Sequence, residues 1–389
     1  MNFVIISPHF PPNYWRMWTA LKERGVNTLG IGEDPYGSLA MEVRDSLTEY
    51  YRVDNMANYE EMLRACGHFT FRYGKIDRIE SNNEFWLETD ARLRTDFNVQ
   101  GLKTADMPPV KYKSVMKSVF QKAGIPTAPG ILLKNPGDGE AFVRDHGYPV
   151  IAKPDNGVGA YATYKLHNDE ELKAFLAHKL PVEYFMESFI RGKIHSFDGL
   201  TDGEGRIVFS SGLVYGNGVM EAVNEDLDMF IFIPRKLNPK VAKAGKKVIK
   251  AFDLRERFFH LEFFLTEDNE LIALELNARP PGGMIPDMIN YSNDFDVYQL
   301  YARLLTEERP AVDPNRRYNC FYMGRKDRYR YVMTPDEVVE RFPEEVVFHG
   351  PIDTAFAPAM GNYGIIIRTP HLARGQTIRK AVMKTESLK

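Results

Sequence analysis

The sequence predicts a mixed α/β protein: a doubly wound α/β domain at the N-terminus, an α+β middle built on antiparallel strands, and a small β-rich unit at the C-terminus. Three observations predict it. Phe3–Ile6, Trp15–Arg24 and Val26–Ile31 read as strand, helix and strand, the order that builds a parallel sheet with helices on its faces. Phe258–Leu265 and Leu271–Leu276 are β-favouring runs joined by the polar stretch Thr266–Glu270, which is a hairpin pattern. Toward the C-terminus, short apolar runs at Cys320–Met323, Glu345–Phe348 and Tyr363–Arg368 alternate with turn residues.

The whole chain narrows the function classes. Its 389 residues, 44% hydrophobic and 26% charged, supply core for two to four compact units. A net charge of −3 lacks the basic footprint of a nucleic-acid-binding protein, and short basic stretches such as Arg325–Arg330 read as solvated surface. Cys66 and Cys320 form neither a CxxC motif nor a disulfide framework, which fits a reducing cytoplasm. The chain enters a strand almost at once, without the charged and apolar regions of a signal peptide, and no apolar run approaches a membrane span. The expected partners are therefore small molecules, with no nucleic acid and no membrane.

In the N-terminal third, Tyr59–Cys66 and Asn83–Phe97 read as helices around a strand at Ile76–Glu80. No GxGxxG follows the first strand, so a dinucleotide site is poorly supported. His9, Glu33, Glu80 and Glu84 lie near strand ends, where open α/β sheets bind ligands, and Glu84 is the best placed of them. Pro108 and Pro109 mark a boundary, after which Lys111–Lys122 is an amphipathic helix. Ile131–Leu133 reads as a strand and Asp138–His146 as a helix. Tyr148–Pro154 is a buried strand with Lys153 at its tip, and Asp155–Ala160 a glycine loop leading into strand Tyr161–Leu166. Backbone N–H groups of such a loop can cradle phosphate, and Lys153 would meet the same phosphates as a point charge. Val182–Phe185 is a further strand, and Ile194–Leu200 is expected to pair back on it antiparallel. Pro239–Phe252 carries apolar residues at helical spacing and reads as core.

The hairpin holds the chemistry. Glu262 sits among Leu261, Phe263 and Phe264, while Glu275, Asn277 and Arg279 follow at steps of two and leave one face of an extended strand. Facing carboxylates on adjacent strands repel by about 4 kcal/mol at a separation near 4 Å and an effective dielectric near 20. A divalent cation converts that repulsion into binding, and an all-oxygen set completed by an Asn carbonyl suits Mg²⁺ bridging a substrate phosphate. A solvated strand face would explain Glu262 alone, but not the whole E-x-N-x-R set ahead of Pro280-Pro281-Gly282-Gly283.

The order of these parts resembles the ATP-grasp superfamily from Met1 to about Glu308, and within it the carboxylate–amine ligases, including the L-amino-acid ligases that make dipeptides. The matching parts are Lys113 eleven residues before Gly124-Ile125-Pro126, Lys153 before its glycine loop, the Glu187-x-Phe189-Ile190 hinge, and Glu262 with Glu275-x-Asn277-x-Arg279. The resemblance implies a biotin-carboxylase-like domain over 1–107, a small ATP-grasp subdomain over 108–186 and a large one with the metal site over 187–308. The β-rich unit then occupies 309–389. It further implies ATP held by Lys113, Lys153, Gly157 and Gly159, with Glu187 and Ile190 presenting backbone groups to adenine. Glu262, Glu275 and Asn277 would hold two Mg²⁺ ions, with Mn²⁺ able to substitute, and Arg279 and Lys153 would act catalytically on an acyl-phosphate formed from a carboxylate and attacked by an amine.

Two positions depart from the family pattern. Ile194 stands where an acidic residue often binds ribose, so either neighbouring His195 or another group replaces it, or the ribose is held less tightly. Ala160 stands where Ser or Gly is common. Alternative readings are an ATP-dependent carboxylase of biotin-carboxylase type and a nucleotide-binding regulatory protein with a decayed site. The C-terminal unit is positioned to cover the active site or to form a homodimer contact, and the sequence does not choose.

Overall fold

A computed structural model of the chain describes residues 1–386 except 136, 159–160, 217, 308–311 and 313–315. At the N-terminus, β1 (Asn2–Ile6), β2 (Asn27–Gly32), β3 (Glu49–Arg52) and β4 (Arg78–Glu80) form a parallel sheet in the order β3-β2-β1-β4. Alternate residues of β1 enter different cores. Phe3 and Ile5 pack with Trp18 and Leu21 on one face, and Val4 and Ile6 pack with Met62, Cys66 and Phe69 on the other. Burial on both faces is why β1 reads as a continuous apolar run, and it is the doubly wound arrangement expected. The helix at Tyr59–Tyr73 runs past the expected Cys66 to Gly74, whose φ of +86° ends it in a conformation glycine tolerates. Pro108 and Pro109 fall in the first turn of a short helix, Met107–Lys111, where missing N–H groups cost nothing.

A second sheet, antiparallel and ordered β5-β8-β6-β7, comprises β5 (Gly130–Leu133), β6 (Val150–Pro154), β7 (Tyr164–Leu166) and β8 (Tyr184–Ser188). Helices Asp138–His146 and Asp169–His178 cover it through Phe142, Leu172 and Phe175.

Among the described residues the third sheet has nine strands. They are β9 (Lys193–Thr201), β10 (Ile207–Ser211), β11 (Val214–Tyr215), β12 (Met229–Ile233), β13 (Phe258–Leu265), β14 (Leu271–Asn277), β15 (Asn319–Arg325), β16 (Val346–Pro351) and β17 (Tyr363–Thr369). The order is β14-β13-β9-β11-β12-β15-β17-β16, with β10 beside β9. The strand Ile194–Leu200 therefore does not pair back on Val182–Phe185 as expected. The chain leaves the small sheet after Ser188, and β9 inserts between β13 and β11. Helix Pro239–Ala251 lies so close on β9 that a Cβ on Gly245 would meet the Phe197 ring at 2.3 Å. The C-terminal strands continue this same sheet, joined through β12 and β15. The junction strand, MFIFI, is short and apolar throughout, a pattern periodicity cannot assign.

Candidate active site

The hairpin turn forms as its composition predicts. Thr266 N donates to Glu270 O at 2.9 Å, Glu270 N donates to Thr266 Oγ1 at 3.0 Å, and Asn269 adopts φ +61°. That turn sets a register in which Glu262 stands directly opposite Glu275 and His260 opposite Asn277, with a bulge immediately after Glu262. The facing carboxylates inferred from spacing are thus cross-strand neighbours. Glu262 is buried, and the Asn277 amide nitrogen lies 3.4 Å from Glu275 Oε1.

A cavity of about 480 Å³ opens over this sheet face and collects most of the expected residues. Lys113, Lys153, Glu187, Ile190, Glu262, Glu275, Asn277 and Arg279 all line it. His195 does not. Along β9, Ile194, Ser196 and Asp198 stand opposite Phe264, Glu262 and His260 on the site face. His195 stands opposite Phe263 on the other face, above the core that contains Phe197 and Leu261. Gly157 accepts a hydrogen bond from Lys113 Nζ at 2.8 Å through its carbonyl. Gly159 and Ala160 lie outside the described residues.

Glu187 takes a different part from the one its motif implies. Gly130 and Ile151 flank it on both sides within the sheet, so its backbone faces β5 and β6. Its side chain instead joins two lysines: Lys153 Nζ is 2.6 Å from Oε1, and Lys117 pairs with Oε2. Burial opposes the Glu187 carboxylate, but Lys153 and Lys117 overcome it and hold its pKa down at about 2. Burial opposes the Lys153 ammonium as well; Glu187 and then Glu275 outweigh this and raise its pKa. Lys117 is missing from the motif-based set. Its signal was available, since it follows Lys113 by one helical turn and so shares its helix face.

A second unexpected group lies behind the Glu262–Glu275 carboxylate pair. Leu213 N donates to Ser196 Oγ at 2.9 Å, and Ser196 Oγ donates to Asp198 Oδ2 at 2.5 Å. His260 Nδ1 lies 2.5 Å from Asp198 Oδ1, and Nε2 lies 3.3 Å from Glu262 Oε1. Burial penalises the imidazolium, yet Asp198 and Glu262 raise its pKa to about 10. Glu262, which burial pushes up, is brought below its usual range by the His260 hydrogen bond. A His two residues before a candidate ligand, on the same strand face, was the sequence signal.

Of the four strand-end residues, Glu84 reaches the site: its Oε2 lies 3.1 Å from Arg279 Nη2. Burial lowers the Arg279 pKa, but the Glu84 charge more than restores it. Glu80 is structural, held by Arg94 at 2.7 Å and Arg257 at 2.5 Å. His9 pairs with Asp34 at 3.1 Å, and Glu33 accepts from Met56 N. Asp228 is bound by Tyr331 OH at 2.6 Å and Lys326 N at 3.0 Å, so it ties down the C-terminal unit.

The donor set suits a hard cation. Among the described residues, no cluster of three or more His, Cys, Asp or Glu side chains is arranged to hold a metal alone. Two facing carboxylates beside an amide fit Mg²⁺, which takes few protein ligands and fills its remaining positions with phosphate and water.

Comparison with known proteins agrees. Residues 146–287 match the family described as ATP-grasp domain. An L-arginine-specific L-amino acid ligase of Bacillus subtilis is 25% identical over 262 residues, covering 63% of this chain and 61% of that protein. A D-alanine–D-alanine ligase of Clostridium botulinum is 27% identical over 188 residues, covering 46% and 60% respectively. The chain thus spans about three fifths of the length of these curated relatives. Among solved structures, an L-amino acid ligase from Bacillus licheniformis superposes with a TM-score of 0.73 at 16% identity, covering 97% of this chain and 96% of that one. The biotin carboxylase domain of Hydrogenobacter thermophilus 2-oxoglutarate carboxylase, solved with MgADP and bicarbonate, gives 0.72 at 18% identity over 99% and 90%. Residues 146–287 thus match the ATP-grasp domain family, and the solved structures show that the chain has the ATP-grasp fold across nearly its whole length.

Proposed function

We propose that the chain is an ATP-dependent carboxylate–amine ligase. The observation that carries this reading is the Glu262–Glu275 pair, flanked by Asn277 and Arg279 and sharing one cavity with Lys113 and Lys153. Phosphoryl transfer is mostly positioning and charge neutralisation, and the cavity supplies both without a protein nucleophile. Lys113 and Lys153 meet the ATP phosphates. Ile190, past the end of β8 where the ladder stops, offers backbone groups to the adenine edge. Glu262, Glu275 and Asn277 would hold Mg²⁺, two ions in the family pattern with Mn²⁺ as a substitute, and the bound cation supplies neutralisation of phosphate charge. Lys117 and Glu187 orient Lys153, and Asp198 and His260 orient Glu262.

In the reaction, a substrate carboxylate oxygen attacks the γ-phosphorus, the bond to the bridging oxygen breaks, and ADP leaves with that electron pair. The amine nitrogen then adds to the acyl carbon. Phosphate departs with the C–O electron pair, and the nitrogen loses a proton to solvent. Arg279, its charge reinforced by Glu84, stabilises the acyl-phosphate and the oxyanion formed during attack. Two free, buried cysteines, Cys66 and Cys320, fit a reducing cytoplasm, and no helix of the described residues is long and apolar enough to cross a membrane.

The test is ADP and phosphate release with Mg-ATP against amino acids offered singly and in pairs, with bicarbonate as a separate arm. Release that needs a pair and yields a condensed product by mass is expected. Release only with bicarbonate would move the assignment to the carboxylases.

A further inference from the structure

Resting on the ligase reading, we propose that the amino acid activated at this site carries a large apolar side chain. The site face of the third sheet changes character from strand to strand. At β13 and β14 it is polar, with His260, Glu262, Glu275 and Asn277 in adjacent registered pairs. One strand past β9 comes Tyr215, whose hydroxyl is 3.5 Å from His260 Nε2. Ile231 of β12 pairs with Tyr215, and Met229 lies two residues before it on the same face. From here the cavity wall is apolar: Met229, Ile231, Ile285, Phe356, Ala359 and Met360.

The C-terminal unit builds half of this wall and is fixed in place. Tyr322 OH donates to Met360 O at 2.7 Å, and Lys326 Nζ donates to Ala357 O at 3.1 Å and Pro358 O at 2.9 Å. Met360 also closes on Gly283, where a Cβ would meet its side chain at 3.0–3.1 Å. The covering role left open by the sequence is therefore filled by residues 355–360.

A carboxylate bound near Arg279 and the metal pair leaves its side chain facing this wall. Among the described lining residues, the carboxylates are Glu187, Glu262 and Glu275, each engaged by lysine, by histidine or at the metal position. None of these three stands at the apolar end to receive a guanidinium. Among the described residues, a cationic side chain placed there would be desolvated without a carboxylate partner. The described wall therefore favours an apolar side chain over the L-arginine named for the B. subtilis relative.

The experiment uses the full chain with Mg-ATP and alanine as amine partner. Leucine, methionine, phenylalanine, arginine, glutamate and glycine are offered in turn as the activated acid, with ADP release measured and the product sequenced by tandem mass spectrometry. The expected kcat/KM for leucine, methionine or phenylalanine is at least tenfold above that for arginine or glutamate. Ala359→Trp, which fills the apolar end, is expected to lower the phenylalanine-to-glycine ratio about tenfold. If that variant fails to fold, Phe356→Ala enlarges the same end and should shift preference toward bulkier side chains. Preference for arginine or glutamate overturns the side-chain class while the ligase reading stands. An unchanged ratio in the folded variants overturns the location. No release with any pair removes the ligase reading and this proposal with it.

Discussion

At the scale of single residues, the site depends on one carboxylate pair and the groups that aim it. Glu275→Gln keeps the size of the side chain but removes a charge from the Glu262–Glu275 pair. Loss of ADP formation by at least about 10²-fold is expected, with an unchanged far-UV circular dichroism spectrum; undiminished turnover in that variant would remove the metal assignment. His260→Asn and Asp198→Asn address the positioning of Glu262, since His260 Nε2 sits 3.3 Å from its Oε1. Each is expected to weaken Mn²⁺ binding in the presence of ADP by about 10–100-fold, read by electron paramagnetic resonance. Equal affinity in both folded variants would make the Ser196–Asp198–His260 chain purely structural.

At the scale of elements, the Lys117–Glu187–Lys153 triad joins the helix Lys113–Lys122 to strands β6 and β8. All three groups are buried, so removing one partner leaves charge uncompensated. Glu187 has a folded pKa near 2, below its ordinary 4.5. Its contribution is therefore complete above about pH 4.5 and is lost as pH falls through about 2, an effect on the order of 3 kcal/mol. Urea midpoints measured between pH 7 and pH 2.5 should fall more steeply in the native chain than in Glu187→Gln. Parallel curves would show that the triad does not support the fold. The element itself was legible as a hinge strand, but the role of Glu187 was not. A motif gives the position of a side chain along one strand, and here its partners are Lys117 on a helix seventy residues earlier and Lys153 on the neighbouring strand β6.

At the scale of the whole molecule, Glu80 links the N-terminal sheet to the hairpin that carries Glu262 and Glu275. It binds Arg94 from its own domain and Arg257 from the residue before β13, and Arg257 Nη1 also donates to Ala278 O at 2.9 Å, beside Arg279. Breaking such a buried network costs about 3–5 kcal/mol. Glu80→Gln should therefore lower the urea midpoint and separate two transitions. Trp15, Trp18 and Trp86, the chain's three tryptophans, all report on the N-terminal domain by fluorescence, while circular dichroism reports on the whole. Coincident transitions in the variant would show that other contacts couple the domains. The sequence reading placed Glu80 and Glu84 together near strand ends as candidate binders. Only the Glu84 side chain reaches Arg279, while Glu80 is enclosed by arginines.

The sequence by itself determined the strand–helix–strand start, the hairpin and the facing of Glu262 with Glu275, because alternation along a strand and turn chemistry are local. Lys153 was visible as a lysine inside an apolar strand ahead of a glycine loop, and it lines the cavity with Lys113. Tertiary structure alone decided that β9 leaves the small sheet for the large one, that the C-terminal strands extend that sheet while residues 355–360 wall the cavity, and that His195 faces the core. Strand partners and sheet order depend on contacts between residues far apart in the chain, and a single sequence carries no term for them.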